Sequence, residues 1–126
     1  MTEPHAPTGA ERVTTAATYE LSVTTLRRRC VIRLAGSVDW QDMPTLRARL
    51  FDAVRAPRKP TLLDLSGLDF ADSSLLHLLL DLQRHFRAGE TELKLRAELR
   101  PVPSRLFAIT GAHSYFDLTT TTQPQT

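Results

Sequence analysis

The stretch TLLDLSGLDFADSSLLHLLLDLQRHF, residues 61–86, decides the architecture. Residues 61–67 are short, nearly all apolar, and bounded by Pro60 and Gly67. That is the pattern of a strand covered on both faces. After residues 68–71 the pattern changes. Asp72 or Ser73 is a good helix N-cap, and Leu76, Leu79, Leu80 and Phe86 form the core stripe of a helix that Gly89 stops. A buried strand running into an amphipathic helix is half of a strand–helix–strand unit, which favours parallel pairing.

Working outward, YELSVTTL (19–26) alternates Tyr19, Leu21 and Val23 with polar neighbours, and CVIRLAG (30–36) alternates Cys30, Ile32 and Leu34. The two read as a hairpin across Arg27, Arg28 and Arg29. In DMPTLRARLFDAV (42–54), Pro44 sits where a first helical turn tolerates it, and Leu46, Leu50 and Val54 recur at spacing four. Pro57 and Pro60 end that helix. Downstream, TELKLRAEL (91–99) alternates as a strand, VPSRLFAIT (102–110) reads as a short helix before Gly111, and YFDL (115–118) as a last edge strand. The whole is an α/β sandwich, with helices packed on a mixed sheet of four to five strands. Residues 1–17 and the tail 119–126 lack periodicity and read as a disordered leader and tail, leaving 18–118 as one folded domain.

Bulk properties exclude several classes. The 126 residues suit one domain, and 41% apolar content is enough for a core. Sixteen basic against fourteen acidic residues leave a formal charge of +2, so the basic isoelectric point overstates any affinity for polyanions. The Arg27–Arg29 run has no interleaved aromatics and reads as a solvated turn, so no nucleic-acid partner is expected. One cysteine, Cys30, rules out an internal disulfide. No signal peptide is expected. The apolar run 75–82 is broken by His77 and Asp81 and falls far short of the roughly 20 residues a span needs. A soluble, cytoplasmic domain without membrane partners follows.

Chemistry then concentrates at the helix start. Ser73 and His77 share a helical face at spacing four, with Asp72 and Asp81 nearby, but no Gly-x-Ser-x-Gly elbow or oxyanion hole accompanies them. An enzyme is therefore not expected. His5, His77, His85 and His113 have no paired spacing, the five glycines are dispersed, and neither metal nor cofactor is expected. Two readings of the serines remain. One is capping alone, worth on the order of 1 kcal/mol. The other is phosphorylation, which adds roughly −1.5 to −2 charges. The helix end favours such an anion by roughly 0.3–1 kcal/mol, whereas a partner docked over it faces a desolvation cost of several kcal/mol.

The core as a whole resembles the STAS domain family of anti-sigma factor antagonists and sulfate-transporter tails. VIRLAGSVDW is similar to the family's strand ending in Gly-x-Leu-Asp, with Gly36, Val38 and Asp39 in those places. TLLDLSGLDFADSS resembles its central strand and aromatic-x-Asp-Ser-Ser turn, and RLFAITGAHSYFDL its closing helix and final strand. The resemblance implies a binding module whose acceptor, Ser73, is phosphorylated by an anti-sigma factor with a histidine-kinase-like ATPase fold. Phosphorylation breaks the complex, so transcription is regulated by partner switching. It further implies a partner surface of Asp39, Asp72, Ser74, Leu75 and His77; homodimer formation is left open. Leu75 and His77 stand where the family carries glycines. Either they retune the docking surface, with Leu75 as a hydrophobic anchor, or they disable the switch, or they pack against residues 68–71. The alternative function is a non-phosphorylated STAS scaffold or sensor subunit with a divergent partner.

Overall fold

A computed structural model describes residues 10–54, 59–96, 98–112 and 116–119. The two alternating N-terminal stretches form β2 (Tyr19–Thr25) and β3 (Cys30–Val38), paired antiparallel with Leu21 opposite Leu34 and Val23 opposite Ile32. These side chains are buried together, while Arg27, Arg28 and Arg29 are exposed in the turn. A single 3-10 turn, Trp40–Asp42, leads into α1 (Met43–Val54), which buries Leu46, Leu50, Ala53 and Val54. There follow β4 (Thr61–Ala71), α2 (Ser73–Ala88), β5 (Leu93–Arg96), α3 (Pro101–Thr110) and β6 (Asp117–Thr119). Strands β3 to β6 run parallel to one another, and the mixed sheet has its strands in chain order.

The sheet has six strands rather than four to five. The additional strand is β1 (Ala10–Thr15), which pairs antiparallel with β2 along its full length, from Ala10 opposite Thr25 to Thr15 opposite Glu20. The expected leader of residues 1–17 is thereby corrected over Ala10–Thr15. An edge strand is held by ladder hydrogen bonds and buries little, so it needs no apolar alternation; Val13 remains 54% exposed. Ala16, also within the expected leader, donates its N–H to the Tyr19 carbonyl at 2.8 Å; residues 1–9 and 120–126, where the start of the leader and nearly all of the tail were expected, lie outside the described residues.

Strand β4 also runs four residues past its expected end. Gly67 does not terminate it but lets it approach β3: a Cβ there would lie 2.9 Å from the Ala35 Cβ. Gly36, at φ 100°, sits beside a register shift, and a Cβ there would meet the Thr18 carbonyl oxygen at 2.4 Å. The Leu63-Asp64-Leu65 run of β4 is buried without a break, as a strand covered on both faces requires. Asp64 can sit there because its carboxylate is engaged. It accepts the Ser66 N–H at 2.9 Å and an Arg96 guanidinium N–H at 2.6 Å. Burial works to raise its carboxyl pKa, but the Ser66 and Arg96 hydrogen bonds outweigh this and hold it below the usual carboxylate range.

On α2 the buried residues are Leu75, Leu76, Leu78, Leu79, Leu82 and Phe86, whereas Leu80, expected in the stripe, is only partly buried. α3 lies against β4 and inserts Phe107, whose ring centroid is 6.2 Å from that of Phe116. Gly111 closes α3 at φ 71°, in the left-handed region glycine favours.

Candidate functional site

Parallel pairing brings the C-terminal ends of β3 and β4 side by side, with Val38 in register with Ala71. The next residue on each strand is an aspartate, Asp39 and Asp72, and each has extended backbone that caps a helical turn. Asp39 Oδ1 accepts the Gln41 N–H at 2.9 Å, and Asp42 Oδ2 accepts the Asp39 N–H at 2.9 Å, closing a capping box. Asp72 Oδ1 accepts the Ser74 N–H at 3.0 Å and also the Ser74 hydroxyl. Its second oxygen, Oδ2, accepts the Trp40 N–H at 3.0 Å, across 32 residues of sequence. One carboxylate therefore caps α2 and ties the β3–α1 connection to it.

This arrangement separates the two serines. The Ser74 hydroxyl is committed to Asp72 and the residue is half-buried. Ser73, the first residue of α2, is exposed, and among the described residues none hydrogen-bonds its hydroxyl. His77, one turn on, is exposed on the same face and is not hydrogen-bonded to Ser73. Asp81 completes that row. Its carboxyl is held low, first by the Arg47 hydrogen bond and then by the charges of Arg47, Arg84 and His77. The row offers polar side chains without a nucleophile–base contact. No group of three or more His, Cys, Asp or Glu among the described residues could hold a metal ion.

One expected surface residue is corrected. Leu75 is fully buried at 0% exposure, so it anchors no interface. The helical period gives the reason: Leu75, Leu78, Leu79, Leu82 and Phe86 fall on one face, turned to the core, while Ser73, His77 and Asp81 fall on the opposite one. Of the two departures from the glycine pattern, only His77 adds bulk to the exposed surface.

Two residues went unremarked in the sequence. Trp40, the single tryptophan, is 67% exposed, and Phe70 is 45% exposed. Phe70 is the aromatic of the aromatic-x-Asp-Ser-Ser turn, and Trp40 directly follows Asp39, so both lay inside the quoted motifs. Nothing local to the sequence marks a motif aromatic as solvent-facing rather than core. Asp69, beside Phe70, is ion-paired with Arg100.

No helix among the described residues is long and apolar enough to cross a membrane. No curated protein sequence matches the chain. Several solved structures share its fold. The anti-sigma factor antagonist SpoIIAA in its unphosphorylated form superposes with a TM-score of 0.64 at 22% identity, over 90% of each chain. The Bacillus cell fate determinant SpoIIAA in its phosphorylated form gives 0.58 at 22% identity, over 90% of this chain and 93% of that one. An anti-sigma factor antagonist from Mycobacterium paratuberculosis gives 0.60 at 21% identity, over 90% and 87%. The family model described as "Mlab, STAS domain" matches residues 21–120, which takes in β2 from Leu21 onward, β3 to β6 and all three helices. With Asp72 capping the helix that follows its central strand, the chain belongs to the STAS domain family.

Proposed function

We propose that this chain is a cytoplasmic anti-sigma factor antagonist that binds an anti-sigma factor of histidine-kinase-like ATPase fold and is released from it by phosphorylation at Ser73. The observation that carries the reading is the division of labour at the start of α2. Ser74 and Asp72 hold the cap, and Ser73 stands exposed beside them with its hydroxyl unengaged among the described residues. The partner supplies the chemistry: its ATP loses the γ-phosphoryl group to Ser73 Oγ, the hydroxyl proton leaves to a base of the partner, and ADP remains. This chain is a binding module and not an enzyme. Support comes also from SpoIIAA, a fold neighbour known in unphosphorylated and phosphorylated forms.

The physical logic of the switch follows from the cap. In the free chain a phosphate at the first position of α2 meets the positive helix end, an attraction of roughly 0.3–1 kcal/mol. Under a docked partner the same group must be desolvated beside the Asp72 carboxylate, at a cost of several kcal/mol. The fold is kept and the complex is lost. His77, exposed one turn from Ser73, favours a second reading: a STAS scaffold or sensor subunit that is not phosphorylated and serves a divergent partner.

The test is to incubate the protein with the purified histidine-kinase-like ATPase encoded nearest its gene and ATP, then to locate phosphate by mass spectrometry. Label on Ser73 and not Ser74, with partner binding abolished by Ser73→Asp, is the expected result. Unlabelled Ser73 together with wild-type binding by Ser73→Asp would transfer the case to the scaffold reading.

A further inference from the structure

We propose that Trp40 and Phe70 form an aromatic anchor pair that seats in an apolar pocket of the partner rimmed by arginine or lysine, and that Asp72 ties the Trp40 end of this pair to the helix start that carries Ser73. The proposal rests on the reading of the β3–β4 end as the partner-docking surface. Of the exposed aliphatics, Val13 lies on the edge strand and Ile109 in the last turn of α3, while Val102 opens α3 next to the Arg100–Asp69 pair. Trp40 and Phe70 instead bracket the β3–β4 end. Phe70 is in register with Ser37 and stands two residues before Asp72, and Trp40 stands two residues after Val38, which is in register with Ala71.

Three features make this pair more than incidental exposure. First, the Trp40 backbone is held in place before anything binds. Its backbone N–H is taken by Asp72 Oδ2 at 3.0 Å, and its 3-10 turn is closed by the Asp39–Asp42 capping box. Pre-ordering lowers the entropy lost on binding, and tryptophan is the residue type most enriched among interface hot spots. Second, the same carboxylate caps the helix that carries Ser73, so anchor and acceptor have a fixed mutual geometry. Third, the surround is acidic. Asp39, Asp42 and Asp72 accept hydrogen bonds from backbone N–H groups and the Ser74 hydroxyl, and no ion pair among the described residues neutralises them. A partner covering uncompensated carboxylates must bring cations. Arginine meets both demands, because its guanidinium pairs with carboxylates and stacks on an indole face.

The experiment is a binding titration of the purified histidine-kinase-like ATPase encoded nearest the gene, loaded with ADP, against the wild-type chain and Trp40→Ala, Trp40→Phe, Phe70→Ala and Asp42→Asn variants. Urea unfolding checks each variant's fold; the Trp40–Asp72 bond uses the backbone N–H, which alanine retains. Trp40→Ala is expected to weaken binding about 30-fold or more and Phe70→Ala about 10-fold, as truncated hot-spot aromatics do. Trp40→Phe should lose only a few-fold. Wild-type affinity should fall with added salt, and Asp42→Asn should flatten that dependence. If the wild type binds, Ser73→Asp does not, and Trp40→Ala binds as tightly as wild type, the anchor is overturned while the switch stands. If the wild type does not bind the ATPase, both fall. If Trp40→Ala abolishes self-association in sedimentation runs and leaves ATPase affinity unchanged, the pair serves a second copy of the chain and the proposal is likewise overturned.

Discussion

Replacing Asp72 by alanine should cost the free protein about 2 kcal/mol, because two separable links end on that carboxylate, one from Ser74 and one from Trp40. The first is the N-cap of α2, from Ser74 N–H to Oδ1 at 3.0 Å; caps of this kind are worth about 1 kcal/mol, within a range of roughly 0.5–2. The second is the Trp40 N–H to Oδ2 at 3.0 Å, worth about 0.5–1.5 kcal/mol at a partly solvated position. For a domain of this size the sum corresponds to a fall in Tm of about 8 °C. Asp72→Asn separates the two. Asparagine caps helices about as well as aspartate, but the amide has one acceptor oxygen, so the cap survives and the Trp40 link does not. Its expected loss is about 1 kcal/mol. Urea unfolding of both variants gives the magnitudes, and amide hydrogen exchange at Trp40 reports the link directly, since it should accelerate in both. A loss below about 0.5 kcal/mol for Asp72→Ala, or unchanged exchange at Trp40 in Asp72→Asn, would refute the idea that one carboxylate ties the two connections together.

Leu75→Ala should destabilise by about 2–5 kcal/mol in urea unfolding, because Leu75 is fully buried, whereas His77→Ala should stay within about 0.5 kcal/mol at its exposed position; equal effects would contradict the assigned helix faces. Gly36→Ala should cost about 2–4 kcal/mol, since its φ of 100° and the Thr18 carbonyl at 2.4 Å both oppose a Cβ, and wild-type stability would show the bulge to be mis-assigned. Asp64 gives a pH signature. Its folded-state carboxyl lies below 3.8, so its contribution is fully present above that pH and disappears as the pH falls through the lower folded-state value. Asp64→Asn should lose about 2–3 kcal/mol at neutral pH, because it removes the buried carboxylate of the Arg96–Asp64 ion pair and leaves Arg96 with the more exposed Glu98, and should show a shallower acid limb; an acid limb parallel to wild type would remove Asp64 from that role.

Much of this was legible locally. The alternation of Tyr19, Leu21 and Val23, the leucine stripe after Asp72 and the helix ends at Gly89 and Gly111 each reflect one residue's relation to neighbours within a turn or a pleat. Such signals survive in a linear string. The alternation test failed for β1 because an edge strand is defined by its partner's hydrogen bonds and not by burial. It misjudged the end of β4 because Gly67 works as a close approach to Ala35, a contact visible only once the two strands are paired.

At the site, the sequence by itself determined that Asp72 or Ser73 caps a helix, since a cap is a relation over two or three residues; the structure assigns the cap to Asp72. Which serine is free, which way Leu75 turns, and that Asp72 reaches Trp40 were decided by the tertiary structure alone. Those facts depend on parallel register placing Val38 beside Ala71, which brings residues 32 apart in the chain within hydrogen-bond distance. They depend equally on the sheet occupying one side of α2, so that the helix period can assign Ser73 to solvent and Leu75 to the core.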